Sequence, residues 1–211
     1  MNKDSATVHI VDDDDDTRAA IADVVSTAGL TPCLYASAKA FLDKFRDDGP
    51  ACILVDLRMP EMNGLQLMAK IGERNLKTPV IVITGYADVP SAVQVMKLGA
   101  FDLLEKPWSG DELVARLRAA IDLDRDRRLV LQDNRLTEQR IETLSPRERQ
   151  VLEMIVSGKA SREIAADLGL SVHTVDNHRA HIMKKMKTES LASLVRITTE
   201  YLARTGIRLT S

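Results

Sequence analysis

From residue 7 to about residue 122 the chain alternates two apolar patterns. Short, largely β-branched runs, Val8–Val11, Cys33–Tyr35, Cys52–Val55, Val80–Thr84 and Phe101–Leu104, are each followed by a longer segment with apolar residues at helical spacing. Those segments are Thr17–Ala28, Ser37–Arg46, Gly64–Arg74, Val89–Leu98 and Asp111–Ile121. Continuous runs of this length suit strands buried on both faces, and the 3.6 period suits amphipathic helices. Five βα units are predicted. Such alternation requires parallel strands joined by crossover helices, so the expected fold class is an α/β, five-stranded, parallel, doubly wound sheet. In that architecture functional groups gather beyond the carboxyl ends of the strands.

Beyond residue 122 the strand pattern ends. Residues 123–143 are charged, lack Gly and Pro, and carry Leu123, Val130, Leu136 and Ile141. They read as a helical linker, either a solvated spacer or a short coiled-coil seam between two chains. Residues 144–211 are patterned as helices only and form a second, small all-α domain. Ser145-Pro146-Arg147-Glu148 is a capping box with Pro in the first turn, Val151, Leu152, Ile155 and Val156 form an apolar face, and Gly158 ends the helix. A short helix, Ser161–Leu168, stops at Gly169, and Ser171 caps a longer one reaching about Met186. A short helix, a tight Gly-containing turn and a longer helix make a helix-turn-helix arrangement.

Charge sharpens the division into 1–122 and 144–211. The net charge is only −2, yet residues 1–122 carry 13 basic against 19 acidic side chains, and residues 123–211 carry 16 against 12. An acidic half suits cations or basic partners, and a basic half suits nucleic acid. Every apolar run is strand-sized, too short for a membrane helix, and the first residues are polar, so a cytoplasmic protein without a membrane partner is expected. Cys33 and Cys52 show no metal or disulfide spacing and read as small core residues.

The chemistry of the first half lies at its predicted strand ends. Asp12 and Asp13 follow the first strand, Asp56 ends the third, Thr84 ends the fourth and Lys106 follows the fifth. Three carboxylates at one sheet edge suit Mg²⁺, a hard cation that takes carboxylate, backbone oxygen and water. A carboxylate beside that metal can attack a phosphoryl group to give an acyl phosphate, with Lys106 and the Thr84 hydroxyl stabilising its oxygens. Each residue alone has a structural reading: a helix cap for the Asp12–Asp16 run, a strand-end turn for Asp56, a buried β-former for Thr84, a surface cation for Lys106. Their joint placement favours the functional one.

These residues resemble the response-regulator receiver family through Val11-Asp12-Asp13, the run from Val55-Asp56 through Arg58-Met59-Pro60 to Gly64, Val82-Ile83-Thr84-Gly85 and Glu105-Lys106-Pro107. The resemblance implies a flavodoxin-like sheet with Asp56 as phosphoacceptor. It further implies Mg²⁺ held by Asp12, Asp13, Asp56 and the Arg58 carbonyl, with Thr84 as the switch hydroxyl and Lys106 paired to the phosphoryl group. Positions 58 and 86 flank the site in this family, and bulky Arg58 and Tyr86 predict restricted water access and slow to moderate loss of phosphate. Leu103 stands where the family often has an aromatic residue that rotates on activation. The remaining switch is a charge-driven shift of Thr84 and its loop, which in this family alters a dimer surface.

In the helix after Ser171, Val172, Val175, Ile182 and Met186 are expected inward, leaving His173, Thr174, Asp176, Asn177, His181, Lys184 and Lys185 outward. A helix in the major groove presents Asn to base edges and cations to phosphates. Leu144–Ile197 resembles the LuxR-type helix-turn-helix domain through Leu144 to Arg149, Ile164-Ala165, Leu170 to Val175, His178-Arg179 and Lys184-Lys185-Met186. With the receiver, the resemblance is to the FixJ/NarL class. It implies base-edge approach by Asp176, Asn177 and Ala180, and phosphate or general DNA contacts by Thr174, His178, Arg179, Lys184 and Lys185. The implied partners are a sensor histidine kinase, promoter DNA, a second copy when phosphorylated or DNA-bound, and RNA polymerase. His173, His178 and His181 lack the companions of a known metal-ligand spacing.

Two rival readings differ in class. Asp13-Asp14-Asp15-Asp16-Thr17 resembles the nucleophile motif of haloacid-dehalogenase phosphatases, which would make Asp13 a catalytic nucleophile, but it leaves the Asp56 motif and the basic half unexplained. A regulator or adaptor that uses the same folds without phosphorylation is the other reading, and Leu103 keeps it open.

Overall fold

All five apolar runs of the first half become strands: β1 (Thr7–Val11), β2 (Thr31–Tyr35), β3 (Ala51–Asp56), β4 (Val80–Thr84) and β5 (Asp102–Glu105). Between and after them run α1 (Asp15–Thr27), α2 (Ala38–Lys44), α3 (Gly64–Glu73), α4 (Val89–Lys97) and α5 (Gly110–Glu142). The computed structural model describes residues 6–85, 89–207 and 209. The strands form one parallel sheet in the order β2-β1-β3-β4-β5. Pro32, which has no N–H to give a ladder, lies on edge strand β2, where that loss is tolerated.

Alternation along each strand separates two cores. Ile53, Val55, Val80 and Val82 face Phe41, Leu67, Ile71 and Val95 of α2, α3 and α4. Cys52, Leu54, Ile81 and Ile83 face Ile21, Val25, Leu113, Leu117 and Ile121 of α1 and α5. Burial of each such large side chain contributes about 1.5–3 kcal/mol, so both faces of β3 and β4 are covered and only the strand ends remain for chemistry. In register, Asp56 lies beside Ile83 and Thr84 beside Glu105. Cys52 is buried, while Cys33 is only half-buried, with its thiol donating to the Tyr35 hydroxyl at 3.2 Å.

The chain packs as two compact units, Met1–Arg128 and Leu129–Ser211. Helix α5 runs on through the expected helical linker, because residues 122–142 lack Gly and Pro and are rich in helix formers; it extends to Glu142. Asp124 is fully buried in the first unit, and Thr137 and Ile141 are buried in the second. Of the four apolar residues of the expected seam, Ile141 therefore belongs to a core, whereas Leu123, Val130 and Leu136 are exposed.

The second unit comprises the end of α5 with α6 (Pro146–Val156), α7 (Ser161–Leu168), α8 (Val172–Met186) and α9 (Leu191–Thr205). The capping box forms reciprocally: Glu148 N–H donates to Ser145 Oγ at 3.2 Å and Ser145 N–H to Glu148 Oε2 at 2.7 Å. Gly169 adopts φ 63° and ψ 38°, the left-handed conformation that the turn from α7 into α8 requires and that glycine adopts without steric cost. Val151, Leu152, Ile155, Ile164, Val175, Ile182, Met186, Leu194 and Tyr201 form the core. Among the described residues no helix is long and apolar enough to cross a membrane.

Candidate functional site

The Asp12–Asp16 run divides its work. Asp14 is the N-cap of α1, its carboxylate accepting the Thr17 N–H at 2.6 Å. Asp15 pairs with Arg18, and Asp13 is exposed. Asp12 alone is buried: its Oδ1 accepts the Asp14 N–H at 2.9 Å and its main-chain oxygen accepts Arg18 Nη1 at 2.7 Å.

Asp56, at the end of β3, is 8 % exposed. Its Oδ1 accepts Lys106 Nζ at 2.7 Å and its Oδ2 accepts the Arg58 N–H at 2.6 Å. The same ammonium stands 3.6 Å from Asp12 Oδ2, and the Lys106 N–H donates to the Thr84 carbonyl at 2.7 Å. Thr84 is buried at the end of β4. The sheet therefore gathers Asp12, Asp56, Thr84 and Lys106 at one edge. Gly64 fixes how closely α3 approaches: a Cβ there would stand 2.7 Å from the Asp56 carbonyl oxygen and 2.9 Å from Leu57 Cα, both backbone atoms with little freedom to yield. Leu103 is half-buried on β5 and packs against the α2–α4 side of the sheet. Tyr86 lies outside the described residues.

Burial raises the Asp12 pKa above the ordinary carboxylate value, and the charge of Asp56 adds to this against the Asp14 hydrogen bond and Lys106. Burial opposes the charged form of Lys106, but its hydrogen bond and attraction to Asp56, with Asp12, outweigh it and raise the pKa. Asp12 Oδ2 is buried with no hydrogen-bond partner. An orphaned carboxylate oxygen beside a second carboxylate is a donor set that fits a hard divalent cation. In this conformation no three potential ligands among the described residues form a metal cluster, in keeping with the exposure of Asp13.

On α8, Val175, Ile182 and Met186 point inward as the periodicity predicts. Val172 does not: at the first turn it is 40 % exposed, because a helix end overhangs the core it packs on. His173, Asp176, Asn177, His181 and Lys184 are exposed, and Thr174, His178 and Arg179 are half-buried. The Thr174 N–H donates to Ser171 Oγ at 3.0 Å, so the start of α8 is fixed by its cap. Asn177 Nδ2 lies 3.4 Å from His173 Nε2.

Three of the basic or acidic positions are engaged within the unit. Lys185 Nζ donates to Glu148 Oε2 at 2.6 Å and to the Thr143 carbonyl at 3.1 Å. Asp176 Oδ1 accepts Ser161 Oγ at 2.9 Å, and Arg179 Nη1 donates to that same hydroxyl at 2.7 Å. Arg147 reaches the end of α7, donating to the Leu168 carbonyl at 2.6 Å. Ser161 had no functional signal in the sequence, and Arg147 and Glu148 were signalled only within the capping-box and LuxR-type motif, because their partners on other helices lie 15 to 37 residues away.

Residues 8–118 match the response regulator receiver domain, and residues 142–198 match the LuxR family of bacterial regulatory proteins. The chain is 45 % identical to the transcriptional regulatory protein FixJ of Azorhizobium caulinodans over 92 % of each chain. It is 40 % identical to FixJ of Rhizobium meliloti, covering 90 % of this chain and 94 % of that one. Among solved structures it is similar to the response regulator StyR, with TM-score 0.84 and 32 % identity over 93 % of this chain and all of that one. Full-length FixJ from B. japonicum gives TM-score 0.58 and 34 % identity over 92 % of this chain and 96 % of that one. The chain belongs to the response-regulator family and joins a receiver domain to a LuxR-type DNA-binding domain.

Proposed function

We propose that phosphorylation of Asp56 controls DNA binding by the helical domain and thereby transcription. The observation that carries this is the convergence of two buried carboxylates on one ammonium at the carboxyl edge of the sheet, Lys106 Nζ standing 2.7 Å from Asp56 and 3.6 Å from Asp12. In the transfer, an Asp56 carboxylate oxygen attacks the phosphorus of a phosphohistidine on a sensor kinase. The P–O bond forms as the P–N bond breaks, and the imidazole leaves. Lys106 then passes from the carboxylate to a phosphoryl oxygen, the Thr84 hydroxyl turns toward another, and the Arg58 N–H orients the carboxylate.

Asp12, Asp13, Asp56 and the Arg58 carbonyl would hold Mg²⁺, which when bound supplies charge neutralisation for the phosphoryl oxygens. Asp13 has to turn inward for this, and its exposure leaves it free to do so. Arg58 is exposed beside the acceptor, and its length supports slow loss of phosphate. Half-buried Leu103 supports a switch carried by Thr84 and its loop. Exposed Val93, Met96 and Leu98 on and after α4 suit self-association of phosphorylated receivers.

On α8, Asn177 and Lys184 present side chains for a base edge and a phosphate respectively, with Thr174, His178 and Arg179 flanking them. Asp176 and Lys185 serve the fold of the domain instead, through Ser161 and Glu148. RNA polymerase is the downstream partner in this reading, in the cytoplasm.

Intact-mass analysis with a small-molecule phosphodonor and Mg²⁺ tests the proposal on wild type and Asp56→Asn, with size exclusion and DNA binding on the same samples. One phosphoryl adduct that is lost in the variant and alters association or DNA affinity is expected. An adduct persisting in Asp56→Asn would overturn Asp56 as acceptor, and unchanged DNA affinity after modification would favour a phosphorylation-independent regulator.

A further inference from the structure

Asp176 and Arg179 stand three residues apart on α8, a spacing at which opposite charges on a helix pair directly. No such ion pair joins them among the described residues. The Ser161 hydroxyl stands between instead, donating to Asp176 Oδ1 at 2.9 Å and accepting from Arg179 Nη1 at 2.7 Å. Ser161 is the first residue of α7, and its backbone capping need is met otherwise, since Glu163 Oε2 accepts the Ala160 N–H at 2.7 Å. The serine side chain is thus left to bridge two residues of the neighbouring helix.

The charges end up separated in a way that serves binding of a polyanion. Asp176 is drawn by Ser161 toward the N-terminus of α7, where the helix dipole favours a negative charge. Arg179 gives one N–H to a neutral hydroxyl, so its positive charge is not neutralised and most of its donors remain available. We infer that Ser161 is a positioning residue for DNA binding: it keeps Arg179 from collapsing onto Asp176 and holds its guanidinium ready for a DNA phosphate oxygen. The inference rests on the reading of α8 as the DNA-contacting helix.

Without the hydroxyl, Asp176 becomes the nearest partner of Arg179, the intrahelical pair forms and one phosphate contact is lost. Affinity of the full-length, phosphodonor-treated protein for a mixed-sequence DNA duplex, measured across salt concentrations, reads this directly. Ser161→Ala is expected to weaken binding and to lower the slope of log K against log salt by about one, the loss of one phosphate contact. Ser161→Thr retains the hydroxyl and the wild-type slope. Ser161→Ala combined with Asp176→Asn regains affinity and slope, because the competing carboxylate is gone.

A wild-type slope in Ser161→Ala, or a loss that Asp176→Asn does not rescue, overturns the inference. NMR of the Arg179 guanidinium in the absence of DNA provides a second readout: rotation slows in Ser161→Ala if Asp176 captures it, and unchanged rotation overturns the inference. An Arg179→Gln variant with wild-type affinity and slope overturns the DNA reading itself, and the NMR result keeps that failure distinct from failure of the serine's separating role.

Discussion

Asp124 Oδ2 accepts the backbone N–H of Ala51, 73 residues away, at 3.1 Å, tying α5 to the start of the strand that ends in Asp56. The carboxylate is fully buried and is held by Arg127 at 2.5 Å and Arg128 Nε at 2.6 Å. Arg128 also pairs with Asp47, so two arginines and a strand amide compensate its desolvation. Asp124→Ala leaves the Ala51 N–H buried and unpaired, takes the carboxylate partner from Arg127 and leaves Arg128 with Asp47 alone, a loss of about 3 kcal/mol by the usual cost of breaking a buried pair. Trp108, the single tryptophan, packs against the α1 and α5 side of the receiver core. Its fluorescence during urea unfolding reports the receiver, and a midpoint within error of wild type would remove Asp124 from the account of receiver stability.

The orphaned oxygen of Asp12 makes a prediction about metal. Its folded pKa is raised, so its favourable contribution holds below the unfolded value and is lost as pH rises through the folded one. Above the ordinary carboxylate range the raised pKa of Asp12 therefore opposes folding of the metal-free receiver. Asp12→Asn is expected to raise the metal-free urea midpoint. Mg²⁺ at ten times its Kd should stabilise wild type by about 1.4 kcal/mol and leave the variant unchanged. Equal responses of both proteins to Mg²⁺ would take Asp12 out of the metal site.

These two residues mark what was legible in the sequence. Alternation between residues such as Ile53 and Leu54 encodes both faces of β3, so the sheet, the strand ends and the convergence of Asp56, Thr84 and Lys106 followed from pattern alone. Asp124 falls second in the predicted helical linker, a solvated spacer or a seam between two chains, and its place in that charged pattern gives no sign of burial. Only the approach of Ala51 and the loop bearing Asp47 makes it a core position. Lys185 is exposed, as its place on α8 predicts, but its ion pair with Glu148 was not legible, since that partner sits on another helix. Single-helix periodicity gives a direction from the axis and carries no information about which neighbour stands there.

His9 predicts a pH dependence of the opposite sense to Asp12. It is buried on β1, 3.0 Å from the Tyr35 hydroxyl, with the Phe45 ring centroid at 4.9 Å. Burial lowers its pKa from 6.5 to about 4, against the opposing pull of Asp47 and Asp48. The unfolded chain takes up a proton near pH 6.5 and the folded chain only near pH 4. Stability is therefore intact above pH 6.5 and falls as pH drops through that window, by up to about 3 kcal/mol from this group. Replacing the imidazole by Phe should flatten the difference between unfolding at pH 7.5 and pH 5 relative to wild type. An identical pH slope in His9→Phe would mean that other groups carry it.

Lys184 and Lys185 are adjacent cations on α8 with opposite expected behaviour. Both are exposed, but Lys185 is tied to Glu148, whose side chain is only 6 % exposed, and to the Thr143 carbonyl. Burial would raise the Glu148 pKa, but the Lys185 hydrogen bond and the Ser145 N–H outweigh it and lower the value, so the pair stabilises above the ordinary Glu range and weakens as pH falls through it. Lys185 is partly solvated, and Lys185→Met is accordingly expected to cost about 1–2 kcal/mol, visible as faster hydrogen exchange in α6 and α8, with the salt slope of DNA binding unchanged. Lys184→Gln should do the reverse, leaving exchange as in wild type and lowering the slope by about one. If Lys185→Met lowers the slope while exchange is unaltered, its ammonium leaves Glu148 for DNA in the complex, and the structural assignment of this lysine fails.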